Sequence, residues 1–242
     1  DQRYTGVDKM ILKKVDVLPH GLINDINTKL GTDGGKLLEY LNWVCRRIKE
    51  IRARASYQPV IHIDVYGTIG IIFSHNLEKI VNYLLKLEKA AGEFQVYIEG
   101  PVDMEEKGPQ IEFLGKIKKA LEKHSSGLKI VADEWCNSLE DIKDFAASRC
   151  CHMVQIKTPD LGGIQNTVES ILFCKNAGVE AYQGGSCNET DMSSRVCVHV
   201  AMAARPDRLL AKPGMGFDEG YSIVNNEMQR IITVLRDKYP HQ

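Results

Sequence analysis

Four ionisable side chains occupy the same place in the pattern of the chain. Asp64, Glu99, Asp133 and Lys157 each close a short apolar run rich in β-formers, at successive intervals of 35, 34 and 24 residues. Three carboxylates delivered in this way, with no histidine or thiolate at metal-ligand spacing, supply only oxygen donors, which suit a hard cation better than zinc. Mg²⁺ fits best: it takes about six ligands at about 2.0–2.1 Å, so three carboxylates leave room for water and a substrate carboxylate. The competing reading of any single acid is a helix cap or a lysine partner, but three at one register favour a shared site. Lys157, on the next strand, is a candidate base. A free lysine titrates near 10.4, and a cation close by lowers that value by disfavouring the ammonium form. Its alternative role is counter-ion to Asp133. His20, which ends the first apolar run after Pro19, reads either as an opposing acid or base or as a structural histidine.

These residues need a scaffold that brings strand ends together. Apolar runs at Met10–Leu18, Val60–Val65, Phe94–Ile98, Leu128–Ala132, His152–Ile156, Val179–Tyr182 and Arg208–Ala211 predict seven strands. They alternate with segments of helical period, the pattern of βα units on a parallel sheet. Leu77, Ile80, Val81, Leu84 and Leu85 make one apolar stripe, and Ile111, Leu114, Ile117 and Leu121 make another. Further stripes run through Leu37, Leu41, Val44, Ile48 and Ile51, through Leu139, Ile142 and Phe145, and through Val168, Ile171 and Leu172. Val224, Met228, Ile231 and Leu235 predict a closing helix. Alternation by itself permits an open doubly wound sheet or a closed barrel. The repeated ionisable group at the strand ends favours the (β/α) barrel, whose C-terminal strand ends converge on one mouth. Strand periodicity places His62 with Asp64, Tyr97 with Glu99, and Met153 and Gln155 with Lys157 on shared faces.

Composition narrows the class of protein. Of 242 residues 43% are apolar and 26% charged, and 31 basic against 32 acidic side chains give a net charge of −1, which provides no electrostatic footprint for nucleic acid or an anionic membrane. The longest uncharged apolar run, Val65–Phe73, falls far short of the ~18 residues of a membrane span. Seven cysteines without a CxxC pair read as reduced thiols, and hence a cytoplasmic location. No secretory leader is visible, no internal boundary divides residues 1–242, and Asp1 in place of an initiator Met reads as a piece of a longer protein.

The segments HIDVYGTIG (62–70), YIEGP (97–101), VADEWCN (131–137), MVQIKTPDLGG (153–163), GGSCNET (184–190) and AKPGMGFDEG (211–220) closely resemble the methylaspartate ammonia-lyase family of the enolase superfamily. The likeness runs over essentially the whole chain. It implies an α/β fold, the enolase-superfamily TIM-type (β/α) barrel, here without the N-terminal α+β cap and the first barrel strand. It also implies residue roles. Asp64, Glu99 and Asp133 would be Mg²⁺ ligands, Lys157 the base for the substrate C3 proton, and His20 the base on the opposite face. Gln155 would bind a substrate carboxylate, and Ser186 and Cys187 would contact substrate where the family usually shows Thr-Cys. Serine retains the hydroxyl and loses a methyl.

The reaction so implied is elimination of ammonia from L-threo-3-methylaspartate to give mesaconate, a step in glutamate degradation. The resemblance further implies a homodimer and a monovalent cation such as K⁺. Family members also carry a cap segment upstream of the position of Asp1, so residues 1–242 alone are expected to be an incomplete catalyst. A dehydratase or racemase of the same superfamily would share the metal and the lysine. A non-catalytic barrel used for binding or assembly would show no Mg²⁺ affinity.

Overall fold

The computed structural model describes residues 2–19, 23–186, 189–210 and 216–239. It falls into two compact units, Asp1–Trp135 with Ser148–Met153, and Cys136–Ala147 with Val154–Gln242.

The first unit opens with α1 (Gln2–Thr5) and α2 (Val7–Leu12), followed by β1 (Val17–Pro19), a π-helical turn at Ile26–Leu30 and α3 (Gly35–Ile51). Next come β2 (Val60–Asp64), α4 (Thr68–Ile72), α5 (Leu77–Ala91), β3 (Val96–Glu99), α6 (Lys107–Lys123) and β4 (Lys129–Ala132). The first expected strand is corrected here: Met10–Leu12 belongs to α2, and only Val17–Pro19 is extended. An apolar run without clear alternation does not separate helix from strand, and Val7 and Ile11, four apart, bury one helical face.

β1 to β4 pair in chain order and in parallel, with Pro19 opposite His62, Asp64 opposite Glu99 and Glu99 opposite Val131. The helices between them bury the expected stripes. α3 buries Leu37, Leu41, Val44 and Ile48, α5 buries Ile80, Val81, Leu84 and Leu87, and α6 buries Leu114, Ile117 and Leu121. Asn76 starts α5 by accepting the Lys79 N–H at 3.0 Å. Truncating a fully buried side chain such as Leu84 to alanine costs about 2–5 kcal/mol, a sizeable share of a domain's net stability of about 5–15 kcal/mol. Beyond each carboxylate-bearing strand end the backbone turns through the left-handed region, at Tyr66 (φ 52°) and Gly67 (φ 70°), at Gly100 (φ 54°) and at Trp135 (φ 67°). These turns stop the strands where their carboxylates emerge.

The second unit carries all but the last residue of α7 (Leu139–Ser148), all but the first of β5 (Met153–Lys157), and α8 (Ile164–Ala177), β6 (Glu180–Gly184), α9 (Asp191–Ala204), β7 (Arg208–Leu209) and α10 (Phe217–Lys238). β6 and β7 run parallel, with Tyr182 opposite Arg208. Seven strands thus stand among the described residues, the number expected. Thr190 and Ser193 form a reciprocal capping box at the start of α9. The α8 stripe is rotated from expectation: Thr167, Ser170, Ile171 and Cys174 are buried, while Leu172 is 46% exposed. α10 likewise turns Val234 and Leu235 outward and buries Gly220 and Glu227. Glu227 Oε1 accepts from His199 Nε2 of α9 at 2.7 Å, which clasps α10 to α9, and from Arg230 Nη2 of its own helix at 2.6 Å. Cys45, Cys136, Cys150, Cys151, Cys174 and Cys197 are buried cysteines, and among the described residues none is joined in a disulfide.

Candidate active site

In the first unit the sheet register brings acidic side chains together. Asp64 and Glu99 are direct partners across β2 and β3, and Asp133 lies two residues beyond Val131, the partner of Glu99 on β4. Parallel strands stand about 4.8 Å apart, so the three carboxyls emerge as neighbours on consecutive strand ends. Glu99 and Asp133 are buried, at 3% and 5% exposure. The Asp64 carboxyl is held well above the ordinary carboxylate range, first by burial and then by the negative charges of Glu99, Asp133 and Glu134.

Glu134 is the member of this group that sequence reasoning missed. Its carboxylate packs against Gly100, where an added Cβ would lie 2.7 Å from Oε2, so the bare glycine after Glu99 makes room for it. The signal was the Asp-Glu doublet in VADEWCN.

Two of the acids have an oxygen already engaged. Buried His62 donates from Nε2 to Glu99 Oε2 at 2.5 Å, and Asp64 Oδ1 accepts the Tyr66 N–H at 3.1 Å. His62 also stacks near Tyr97, its partner on β3, with ring centroids 6.2 Å apart, and Lys129 Nζ stands 5.3 Å from the Tyr97 ring centroid. This layer lies one pleat below the acids and confirms the predicted shared faces.

Among the described residues no three histidine, cysteine, aspartate or glutamate side chains already surround one point as metal ligands do. The donor chemistry is that of a hard cation: clustered carboxylate oxygens on adjacent strand ends. Their mutual repulsion is what a divalent cation would reverse. Asp64, Glu99 and Asp133 are the residues that could hold such an ion.

The second unit holds Gln155 and Lys157 on β5 and Ser186 just beyond β6. Met153 and Gln155 are buried, Gln155 at 6% exposure, while Lys157 is partly exposed at the strand end. Gln155 Oε1 is buried and accepts no hydrogen bond, so the oxygen of this amide has capacity for a ligand's donor group. Its Nε2 packs on Gly184, where a Cβ would come within 2.7 Å. Of the expected site residues, His20 and Cys187 lie outside the described residues.

Solved structures share this arrangement of strands and helices. The L-Ala-D/L-Glu epimerase of Bacillus subtilis, 19% identical, superposes with a TM-score of 0.62 over 84% of this chain and 48% of its own. The fold class is the enolase-superfamily TIM-type (β/α) barrel. Residues 1–237 match the family model described as methylaspartate ammonia-lyase C-terminus, and the chain belongs to the methylaspartate ammonia-lyase family. The Citrobacter amalonaticus methylaspartate ammonia-lyase is 58% identical over 98% of this chain and 58% of its own length, and the Clostridium tetanomorphum enzyme is 48% identical over 97% and 57%. A crystal structure of the Citrobacter enzyme containing (2S,3S)-3-methylaspartic acid superposes with a TM-score of 0.94 over 98% of this chain and 57% of its own. A Mg-complex of the Clostridium β-methylaspartase, 47% identical, gives 0.93 over 98% and 58%. The chain therefore spans little more than half the length of these relatives.

Proposed function

We propose that residues 1–242 form the barrel catalytic domain of a carbon–nitrogen lyase that eliminates ammonia from L-threo-3-methylaspartate to give mesaconate. The observation that carries this reading is the carboxylate row at Asp64, Glu99 and Asp133 in a chain of this family. The bound relatives point to the same substrate and ion.

The C3 proton of the substrate is weakly acidic because the adjacent group is already a carboxylate, so its removal builds a second negative charge there. Mg²⁺ held by Asp64, Glu99 and Asp133 would stabilise that charge where it develops. Lys157 Nζ takes the proton from C3, and His20 serves the opposite face of the substrate, which admits the other C3 epimer. The Gln155 amide binds a substrate carboxylate through its N–H, with Ser186 and Cys187 completing the pocket. The electron pair left at C3 then forms the double bond to C2 as the C–N bond breaks, and the protonated amine leaves with the C–N pair as ammonia. The proposal extends to a homodimer, a K⁺ requirement and an upstream cap that shields the reacting groups from water.

The test is ammonia and mesaconate release from L-threo-3-methylaspartate, with Mg²⁺ and with chelator, using residues 1–242 alone and joined to the upstream region. The expected result is equimolar products that need Mg²⁺, with far higher turnover when the upstream region is present. Failure of the longer protein to release ammonia, or release undiminished by chelator, overturns the reading.

A further inference from the structure

A chain of polar contacts in the second unit joins four residues to which the reaction above gives no task. Gln183 Nε2 donates to Thr158 Oγ1 at 3.3 Å. Thr158 Oγ1 lies 3.4 Å from Cys197 Sγ, and Cys197 Sγ lies 3.6 Å from Glu189 Oε1. One ordering satisfies all of them, because an ionised carboxylate only accepts. The Cys197 S–H donates to Glu189, the Thr158 hydroxyl donates to Sγ, and the Thr158 oxygen accepts from Gln183. Burial, with the Glu189 charge adding to it, pushes the Cys197 thiol up to about 11, so the S–H that this ordering needs is present at neutral pH.

The four residues come from separate segments. Thr158 directly follows Lys157 at the end of β5, Gln183 is on β6, Glu189 lies in the segment after Ser186, and Cys197 is on α9. Glu189 is folded back tightly: its N–H donates to the Ser186 carbonyl at 3.4 Å, and a Cβ on Gly185 would fall 1.8 Å from its Oε2. Gly184 meets Gln155 on its own open side. The adjoining glycines are thus the gap into which both side chains fit.

We propose that Thr158 is a positioning residue whose hydroxyl, through Cys197 and Glu189, ties the end of β5 to the segment bearing Ser186. The inference rests on the reading of Lys157 as base and Ser186 as substrate contact. It assigns to the hydroxyl the task of holding those two groups in one register. Valine matches threonine in shape but leaves the buried Gln183 N–H and the Cys197 sulfur without their partner, whereas serine keeps the hydroxyl.

The experiment compares Thr158→Val, Thr158→Ser and Glu189→Gln in the protein that carries the upstream region. It follows kcat and KM for 3-methylaspartate and amide hydrogen exchange of the peptide covering Gln183–Ser186. Thr158→Val is expected to lower kcat/KM by about 10- to 100-fold, to raise KM as well as lower kcat, and to speed exchange in that peptide about tenfold. Exchange across β2 and β3 is expected to stay unchanged. Thr158→Ser restores kcat/KM to within about threefold. If Thr158→Val does not fold, Glu189→Gln carries the same expectation for exchange and KM. Wild-type exchange in the valine or glutamine variant, or failure of serine to restore kcat/KM, overturns the proposal. A wild-type protein that releases no ammonia refutes the lyase reading instead, and the exchange measurements still decide the coupling.

Discussion

Replacing Asp64 by asparagine should have opposite effects on the ion-free and the Mg²⁺-bound protein. Asp64 faces Glu99 across one strand spacing, with Asp133 and Glu134 close enough to add repulsion. Two unit charges about 5 Å apart repel by roughly 1 kcal/mol under full water screening and roughly 3 kcal/mol at the effective dielectric of a protein surface. Removing one charge should therefore stabilise the ion-free form by about 1–3 kcal/mol. For a chain of this size that is a rise in Tm of about 2–12 °C in chelator. The pH dependence has a defined sign. The Asp64 carboxyl titrates above its unfolded value of about 3.9, so the folded form binds the proton more tightly. Its penalty on stability is absent below that value, grows as pH rises through the raised folded value, and is complete above it. The asparagine variant lacks this slope. With Mg²⁺ at about 100 times its Kd the wild type should gain about 2.7 kcal/mol, or about 5–11 °C, and the variant should lose most of that gain. The assay is a thermal melt from pH 4 to 8, with chelator and with MgCl₂. A variant that melts below wild type in chelator, or keeps the full Mg²⁺ gain, refutes the shared-site reasoning.

Lys157→Ala should reduce turnover of the threo substrate by about 10²–10⁴-fold while leaving Mg²⁺ binding by calorimetry intact, and His20→Ala should fall hardest on the other C3 epimer. Equal losses from both variants on both epimers would remove the opposite-face assignment. At the α9–α10 clasp, Arg230 and His199 hold the Glu227 carboxyl down to about 2. Its stabilising contribution is therefore present above the ordinary glutamate range and is lost as pH falls toward 2. Amide exchange along α10 should accelerate through that window in wild type and not in Glu227→Gln, and identical profiles would exclude the clasp as the cause.

The alternation of elements was legible because strands and crossover helices carry different hydrophobic periods, and one ionisable residue per strand end gave the carboxylate row. What failed did so for identifiable reasons. Met10–Leu12 is apolar without alternation, so its helical state depends on Val7 and Ile11 finding a packing partner. In α8 the buried face is built from Thr167, Ser170 and Cys174, small side chains that leave no mark on an apolar stripe, and Val168 and Leu172 misdirect the reading. The pairing of His62 with Glu99 follows from strand register, which no spacing along the chain reveals. The contacts among Thr158, Gln183, Glu189 and Cys197 likewise join residues that the sequence separates by up to 39 positions.

The hydrogen bonds on Asp64 and Glu99 bear on which ion such a site would prefer. With one oxygen of each carboxylate accepting from the Tyr66 N–H or from His62, turning either acid to grip an ion through both oxygens would loosen that bond. Calcium fills its six to eight positions in part by gripping carboxylates through both oxygens at 2.3–2.6 Å, whereas magnesium keeps a tight octahedron of single-oxygen ligands and water. Acids restrained to one-point contact thus penalise the larger ion without any change in charge. His62 would then act as a size filter, and replacing it would free Glu99 to accept Ca²⁺ in a two-point grip.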